Sequence, residues 1–435
     1  MKNFKLILVF LFLFALNLSS QVLYFPPVIG NEWETTPPEE LGWCTENIQE
    51  LYDTLQTKNT KAFLVLKDGK IVLEKYFGTF TQDSSWYWAS AGKCLTSFTV
   101  GMVKSEGKIN LEDKTSKYLG EGWTSLTKEQ EDKITVWNQL TMTTGLDDKV
   151  NDPYCTDKSC LEYKADAGTR WAYHNGPYTL LDEVIENATG QNLNNYISQN
   201  LRTKTGISGL FVKVEYNNVF FSKPRSMARF GLLMLNKGDW DGNVVLEDKE
   251  FYNNSITSSQ DINQSYGYLW WLNGKESYMA PLSQIVFKGA LAPNGPKDMY
   301  SALGKNGQIL NIVPSQNLIV VRMGETPAVN EQVSLQLNNE IWQVLNKVIC
   351  NQTSVGSTTQ NQIRINDNRE TLEITNLYYP EFDNQVKIYN LMGIELFNQN
   401  FNDKITINKS IFADKVLIIQ TISNGNSQTT KLIIE

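Results

Sequence analysis

The stretch Trp86-Tyr-Trp-Ala-Ser-Ala-Gly-Lys-Cys-Leu95 and the dozen residues after it constrain this chain most. Leu95, Phe98, Met102 and Val103 recur at helical spacing, and Gly107 stands where such a helix would stop. Thr96, Ser97 and Thr99 weaken the helix without breaking it. If Ser90 opens that helix, Lys93 lies one turn later on the same face. A serine hydroxyl is a poor nucleophile until a base removes its proton, and a lysine whose pKa burial has lowered can be that base. The helix N-terminus adds N–H groups that favour developing negative charge. The plainer reading makes Ser90 an N-cap and Lys93 a solvated charge; the rest of the chain decides between them.

At 435 residues the chain suggests roughly two to three domains at about 100–200 residues each. Lys2 and Lys5 precede an apolar run, Leu6 to Leu16, and then Asn17-Leu-Ser-Ser20. This pattern predicts a secretory signal over 1–20, cleaved near Ser20 or Gln21. A membrane anchor is the alternative, for which the run is short, so no stable span is expected in the mature chain. No cysteine follows the run, which argues against a lipoprotein. Loss of 1–20 removes two lysines and no acids, taking the net charge from −8 to −10. An acidic chain without basic clusters argues against nucleic acid as a partner.

Export permits disulfides. Cys155 and Cys160 flank a short loop and are expected to bridge; Cys44 and Cys350 stand near the two ends of the main domain and could pair. Cys94, beside the serine motif, reads as a buried free thiol. His174 is the one histidine. It rules out a multi-His metal site, and a Ser-His-Asp triad could use no other residue; neither metal nor cofactor is expected.

In chain order, a Pro-rich acidic arm leads to a helix over Thr45–Thr57. Two strands from Ala62 to Tyr76 then turn at Asp68-Gly69, a strong hairpin signal. Ile134–Leu146 predicts a short helix ending at Gly145. Pro177 starts a well-patterned helix closed by Gly190, and another is expected from about Ser226 to Leu235. Tyr266–Trp271, Met299–Leu303, Gln308–Val313 and Leu318–Arg322 predict strands, and Glu331–Val348 a closing helix. Strands at both ends with helices between imply an α/β (α+β) domain over 21–350, built on one mixed sheet. A polar linker at 351–362 follows. Short strands with frequent turns over 363–435, Asn424-Gly425 among the turns, predict a small all-β sandwich without a catalytic cluster.

The second chemical motif is Tyr173-His174-Asn175. A tyrosine whose phenolate a nearby lysine stabilises can take the serine proton and return it to a leaving group. An Asn two residues on can bind a substrate amide and hold Lys93. By itself this trio fits a core tyrosine with a loop-capping Asn as well.

Together, Ser90-x-x-Lys93, Tyr173-x-Asn175, Ile134-Thr-Val-Trp-Asn-Gln-Leu-Thr-Met-Thr-Thr-Gly-Leu146 and Gly168-Thr-Arg-Trp-Ala-Tyr-His-Asn175 resemble the serine β-lactamase and penicillin-binding-protein superfamily. The match is to its class C-like branch of esterases, D-amino-acid peptidases and 6-aminohexanoate-dimer hydrolases, and covers roughly residues 45–350. The resemblance implies a β-lactamase/transpeptidase-like fold, a mixed antiparallel sheet flanked by helices with a helical subdomain. It implies Ser90 as nucleophile, Lys93 and Tyr173 sharing base and acid work, and Asn175 positioning substrate. The substrate would be a small ester, amide or peptide, with a β-lactam or D-amino-acid peptide among the options.

Such families also carry Lys-Thr-Gly, or a relative of it, on a late edge strand. Lys204-Thr205-Gly206 ends a helix soon after Tyr173 and reads as a decoy. Gly304-Lys305-Asn306-Gly307-Gln308 resembles the Gly-x-x-Gly-Gln of the 6-aminohexanoate-dimer-hydrolase-like members. There the strand supplies a backbone N–H to the oxyanion hole with that of the serine, which makes Gly304 to Gln308 the substrate-binding candidates. His174 reads as a partly exposed loop residue. Trp86, Trp88, Trp270 and Trp271 are candidates to line an apolar acyl pocket, with core packing the alternative for Trp270 and Trp271. The tail, through Val386-Lys-Ile-Tyr-Asn-Leu-Met-Gly-Ile-Glu-Leu396 and Thr429-Thr-Lys-Leu-Ile-Ile-Glu435, resembles the sorting domain of type IX secretion cargo. That resemblance implies secretion machinery as a partner and a secreted or cell-surface location reached through the periplasm; an adhesive β-module is the alternative. A binding or sensor protein that keeps the fold without turnover is the competing function.

Overall fold

The computed structural model describes residues 23–325, 333–350, 363–368, 370–376, 384–390, 393–413, 416–423 and 426–433. The expected signal, the linker at 351–362 and the Asn424-Gly425 turn lie outside them.

The first hairpin forms where Asp68 (φ 53°) and Gly69 (φ 86°) both turn left-handed, the conformation that a two-residue hairpin loop demands. Glycine is required there, because a Cβ on Gly69 would stand 2.0 Å from the Tyr24 carbonyl oxygen of the N-terminal arm. The hairpin strands are β1 (Thr60–Lys67) and β2 (Lys70–Tyr76). The late strands are β3 (Trp271–Leu272), β4 (Tyr300–Gly304), β5 (Gln308–Val313) and β6 (Leu318–Gly324). They join in the order β2-β1-β6-β5-β4-β3, antiparallel throughout, so the sheet is built from both ends of the domain.

Its central strands read as unbroken buried runs because both faces are covered. Helix Pro224–Leu235 lies on one face, where a Cβ on Gly231 would come within 2.8 Å of both Leu310 and Ile319. Adjacent strand residues point to opposite faces. Accordingly Asn311 meets Asn338 of the closing helix Leu335–Ile349 (2.7 Å) on the other face. That helix packs with Ile48–Thr57. Their outer ends are tied by the Cys44–Cys350 disulfide, the Lys347–Glu50 ion pair, and the Cys44 N–H donating to the Val348 carbonyl.

Between the two halves of the sheet lies a helical region with a second small core of Trp123, Ile134, Leu146, Leu161 and Leu180. The Cys155–Cys160 disulfide borders it. The helix expected over Ile134–Leu146 spans only Val136–Leu140. Thr141, Thr143 and Asn138 bond one another through their side chains, and Met142 turns left-handed (φ 60°), so polar side chains redirect the chain early. The aromatic run at Tyr266–Trp271 is not one strand either. Gly267 presses against the Ser255 carbonyl and Leu269 turns left-handed, so Tyr266 bridges back onto Trp271 and pairing resumes only over β3.

The tail forms two sheets. Strands Ile363–Asp367, Thr371–Asn376 and Lys404–Asn408 make one; Glu395–Phe401, Asn384–Tyr389, Val416–Ser423 and Asn426–Ile433 make the other. They share a core of their own, with Leu372, Ile374, Val386, Ile388, Leu417 and Ile419 fully buried. Among the described residues no helix is long and apolar enough to cross a membrane.

Candidate active site

Ser90 does not begin a regular helix. It sits in a tight turn, Ala89–Ala91, that leads into the helix Gly92–Ser105. Ala89 is left-handed (φ 47°), a conformation costing an L-residue about 1–2 kcal/mol, and the bend sets Ser90 half-buried at the helix mouth. One turn on, Lys93 is 4% exposed. Its Nζ lies 3.1 Å from Ser90 Oγ and donates to Asn175 Oδ1 at 2.7 Å. Among the described residues no carboxylate bonds it; it rests instead 4.1 Å from the ring centre of Tyr178 and 5.2 Å from that of Tyr173. Burial brings its amine down to about 7, with weaker upward pulls from Cys94 and Asp182.

Tyr173 lies beside Ser90 and is otherwise walled by aromatic rings, stacked on Trp271 and edge-on to Tyr266. Burial pushes its phenol up, and the neighbouring Ser90 hydroxyl only partly offsets that. Tyr173 therefore keeps its proton near neutrality, which corrects the expected phenolate. Of the pair, Lys93 is the group able to accept a proton. Asn175, the first residue of a short helix to Thr179, is buried with its carbonyl oxygen committed to Lys93.

The third motif is brought to the same place. Gly304 ends β4, and a Cβ there would meet the Trp88 carbonyl at 2.5 Å, the Ala91 nitrogen at 3.0 Å and the Ser90 nitrogen at 3.1 Å. Only glycine lets the strand lie so close to the serine backbone. Lys305 is exposed, and Asn306 donates to the Tyr87 hydroxyl at 2.7 Å. Gln308 departs from the expected substrate contact. It is fully buried, and both ends of its amide bond the Gly324 backbone (2.6 and 3.2 Å). It holds the turn instead. Lys204-Thr205-Gly206 ends a helix, with Lys204 reaching the Val244 carbonyl and Thr205 buried.

Other expectations need correction. His174 is not partly exposed: it is 2% exposed, neither ring nitrogen has a partner, and burial lowers it to about 4 against the pull of Asp148 and Asp147. Trp88, Trp270 and Trp271 are core residues. Trp88 donates to Ser222 Oγ, Trp270 stacks on Phe230, and Trp271 backs Tyr173. Trp86 alone of the four is half-buried. The expected Cys155–Cys160 disulfide is formed, Cys44 and Cys350, left open above, are paired, and Cys94 is free and buried.

Sequence reasoning missed Tyr178 and Asp182. Asp182 is buried on the helix Leu181–Thr189, accepts from Asn218 (2.9 Å), and is raised to about 7 by burial. An acid set among the inward residues Leu181, Val184 and Ile185 was the available signal.

A family model described as Beta-lactamase matches residues 49–335, well over half the chain. The chain belongs to the beta-lactamase family. Its fold is that of the serine hydrolases of this family, some of which are not catalytic. An uncharacterized protein of Alkalihalophilus pseudofirmus is 24% identical over 313 residues, covering 63% of this chain and 86% of that protein. A Bacillus anthracis protein assigned as a 6-aminohexanoate-dimer hydrolase is 21% identical with a TM-score of 0.52, over 68% of this chain and 82% of that one. A family VIII carboxylesterase is 13% identical with a TM-score of 0.55, over 73% and 99%. At these identities the two structures speak to the fold.

Proposed function

We propose that the chain is an exported serine hydrolase that cleaves a small ester or amide through a covalent acyl-serine intermediate. The observation that carries this reading is the buried Lys93 amine, 3.1 Å from Ser90 Oγ, with no carboxylate among the described residues bonded to it and a pKa brought down to about 7 by burial. Ser90 Oγ attacks the substrate carbonyl as its proton passes to Lys93. The carbonyl oxygen, now negative, is met by the Ser90 N–H and a backbone N–H of the 304–307 turn. Tyr173, protonated and beside Ser90, relays the proton to the leaving alcohol or amine. Asn175 holds Lys93 in register. Water, deprotonated by the same lysine, then attacks the acyl-serine, Ser90 recovers its proton, and the acid is released.

The likeness to a carboxylesterase and to an assigned amide hydrolase supports trying both bond types. The test is a panel of short-chain p-nitrophenyl esters, D-amino-acid amides, linear 6-aminohexanoate dimer and a chromogenic β-lactam, run against the wild type and Ser90→Ala. Turnover of at least one class, abolished by Ser90→Ala, is expected. Turnover that survives Ser90→Ala overturns the assignment. We further propose that 1–20 is a secretion signal and that the tail from 363 is a type IX sorting domain, on the strength of its sequence resemblance and its separate core.

A further inference from the structure

The turn beside Ser90 is gripped from inside by three buried side chains. Asn306 (φ 62°) and Gly307 (φ 76°) are consecutive left-handed residues, at the two residue types that adopt this conformation most readily. Carbonyls of such a surface turn usually go to water. Here each carbonyl from 304 to 307 has a side-chain donor. Ser334 Oγ donates to Gly304 O (3.3 Å) and accepts from the Gly307 N–H (2.9 Å). Gln308 Nε2 donates to Lys305 O and Asn306 O (3.3 Å each). Arg322 Nη1 donates to Asn306 O (2.7 Å) and Gly307 O (2.8 Å).

Arg322 is fully buried, and none of its partners is a carboxylate. Its remaining N–H groups go to Thr60 Oγ1, Lys58 O and Glu325 O. A buried guanidinium bonded only to neutral oxygens is expensive, and an apolar side chain would fill the space more cheaply. The far end of the turn is Gly304, whose backbone abuts the Ser90 and Ala91 nitrogens.

We propose that Arg322, Ser334 and Gln308 are positioning residues for catalysis, a clamp that holds the 304–307 backbone against the Ser90 N–H so that the two N–H donors converge on one oxygen. The inference rests on the acyl-serine reading above and adds residues that never touch substrate. A misplacement of about 1 Å in such a donor costs about 10²-fold in rate, and losing an oxyanion donor costs about 10²–10³-fold.

The test uses the full chain with Ser334→Ala, which removes two bonds and buries no charge, and with Arg322→Lys. The readouts are kcat and KM on an activated ester, the affinity of phenylboronic acid, whose tetrahedral adduct on Ser90 presents an oxyanion, and the thermal midpoint. Ser334→Ala is expected to lower kcat about 10–100-fold with KM within about 3-fold. Boronate affinity should fall in step with kcat/KM while the midpoint moves only a few degrees. Arg322→Lys, if it folds, should show the same pattern; if it does not, Ser334→Ala decides. Wild-type kcat and boronate affinity in Ser334→Ala overturn the clamp while leaving the hydrolase reading intact. A wild-type chain that neither turns over ester nor binds boronate overturns both.

Discussion

Replacing Lys93 by Met should make the protein more stable and nearly inactive. The unfolded-state amine has the ordinary value of 10.5, and the buried one about 7. At neutral pH the unfolded chain therefore gains from protonating this lysine by on the order of 4 kcal/mol more than the folded chain does. Met fills a similar volume without a charge to desolvate. It forfeits the bond to Asn175 Oδ1 and leaves that buried acceptor unpaired, a cost of about 1–3 kcal/mol. The net expectation is a gain of about 1–3 kcal/mol at pH 7. The sign of the pH dependence follows from the same numbers. Between about pH 7 and 10.5 the folded state binds fewer protons at this site than the unfolded state, so raising the pH stabilises the wild type, by at most about 1.4 kcal/mol per pH unit. Below pH 7 the penalty is constant. Lys93→Met lacks this term, so its advantage should shrink as the pH approaches 10. Urea unfolding followed by tryptophan fluorescence at pH 7, 8.5 and 10 measures both. Parallel stability curves for the two proteins across that range, or a variant several kcal/mol less stable at pH 7, would refute a buried amine near 7.

Ester turnover by the wild type should rise through about pH 7 as Lys93 loses its proton, and Asp182→Asn, which removes a charge that holds this amine up, should move that limb to lower pH; an unmoved limb argues that Asp182 does not act on Lys93. Tyr173→Phe should slow turnover by about 10²–10⁴-fold, and its effect should not add to that of Lys93→Met if the two move one proton, as a double-mutant cycle on kcat will report. Opening the Cys44–Cys350 bridge by a double Ser substitution frees a far longer loop than opening Cys155–Cys160. The expected costs are about 6 and about 2 kcal/mol in chemical denaturation, and equal costs would contradict the loop-entropy account. Deleting the chain from 363 should leave the specific activity of the purified protein unchanged and strand it in the periplasm of its host. Loss of activity in a folded truncation would make the tail a substrate-binding module.

Much of this was legible because local chemistry and position agreed. Asp68-Gly69 demanded a hairpin, Gly190 a helix end, and the apolar spacing after Ser90 a helix that carries Lys93 back toward the serine. Cys94 and the Cys155–Cys160 pair could be read from spacing and neighbourhood, whereas the pairing of Cys44 with Cys350, 306 residues apart, could not. What could not be read depends on contacts distant in sequence. Tyr173 looked like a phenolate candidate because a lysine was expected near it, but Trp271 and Tyr266, about a hundred residues on, close over its ring and keep it protonated. His174 looked exposed because it lies between two loop residues; the neighbouring loop, where Gly176 presses on the Cys155 carbonyl, buries that segment. Gln308 looked like a ligand because it closes a recognisable motif, yet Gly324 across the sheet takes up its amide. Arg322 gave no signal, since one arginine in an apolar strand does not say which carbonyls it will meet.

In the proposed mechanism Ser90 becomes acylated with Lys93 as its base. This step is tested most directly by treating folded wild-type protein with a fluorophosphonate probe and mapping the adduct by peptide mass spectrometry. One adduct is expected, on the peptide that carries Ser90, formed about 10²–10⁴-fold more slowly in Lys93→Met. No adduct on the folded wild type, or labelling of Ser90 at an undiminished rate in that variant, would contradict the mechanism.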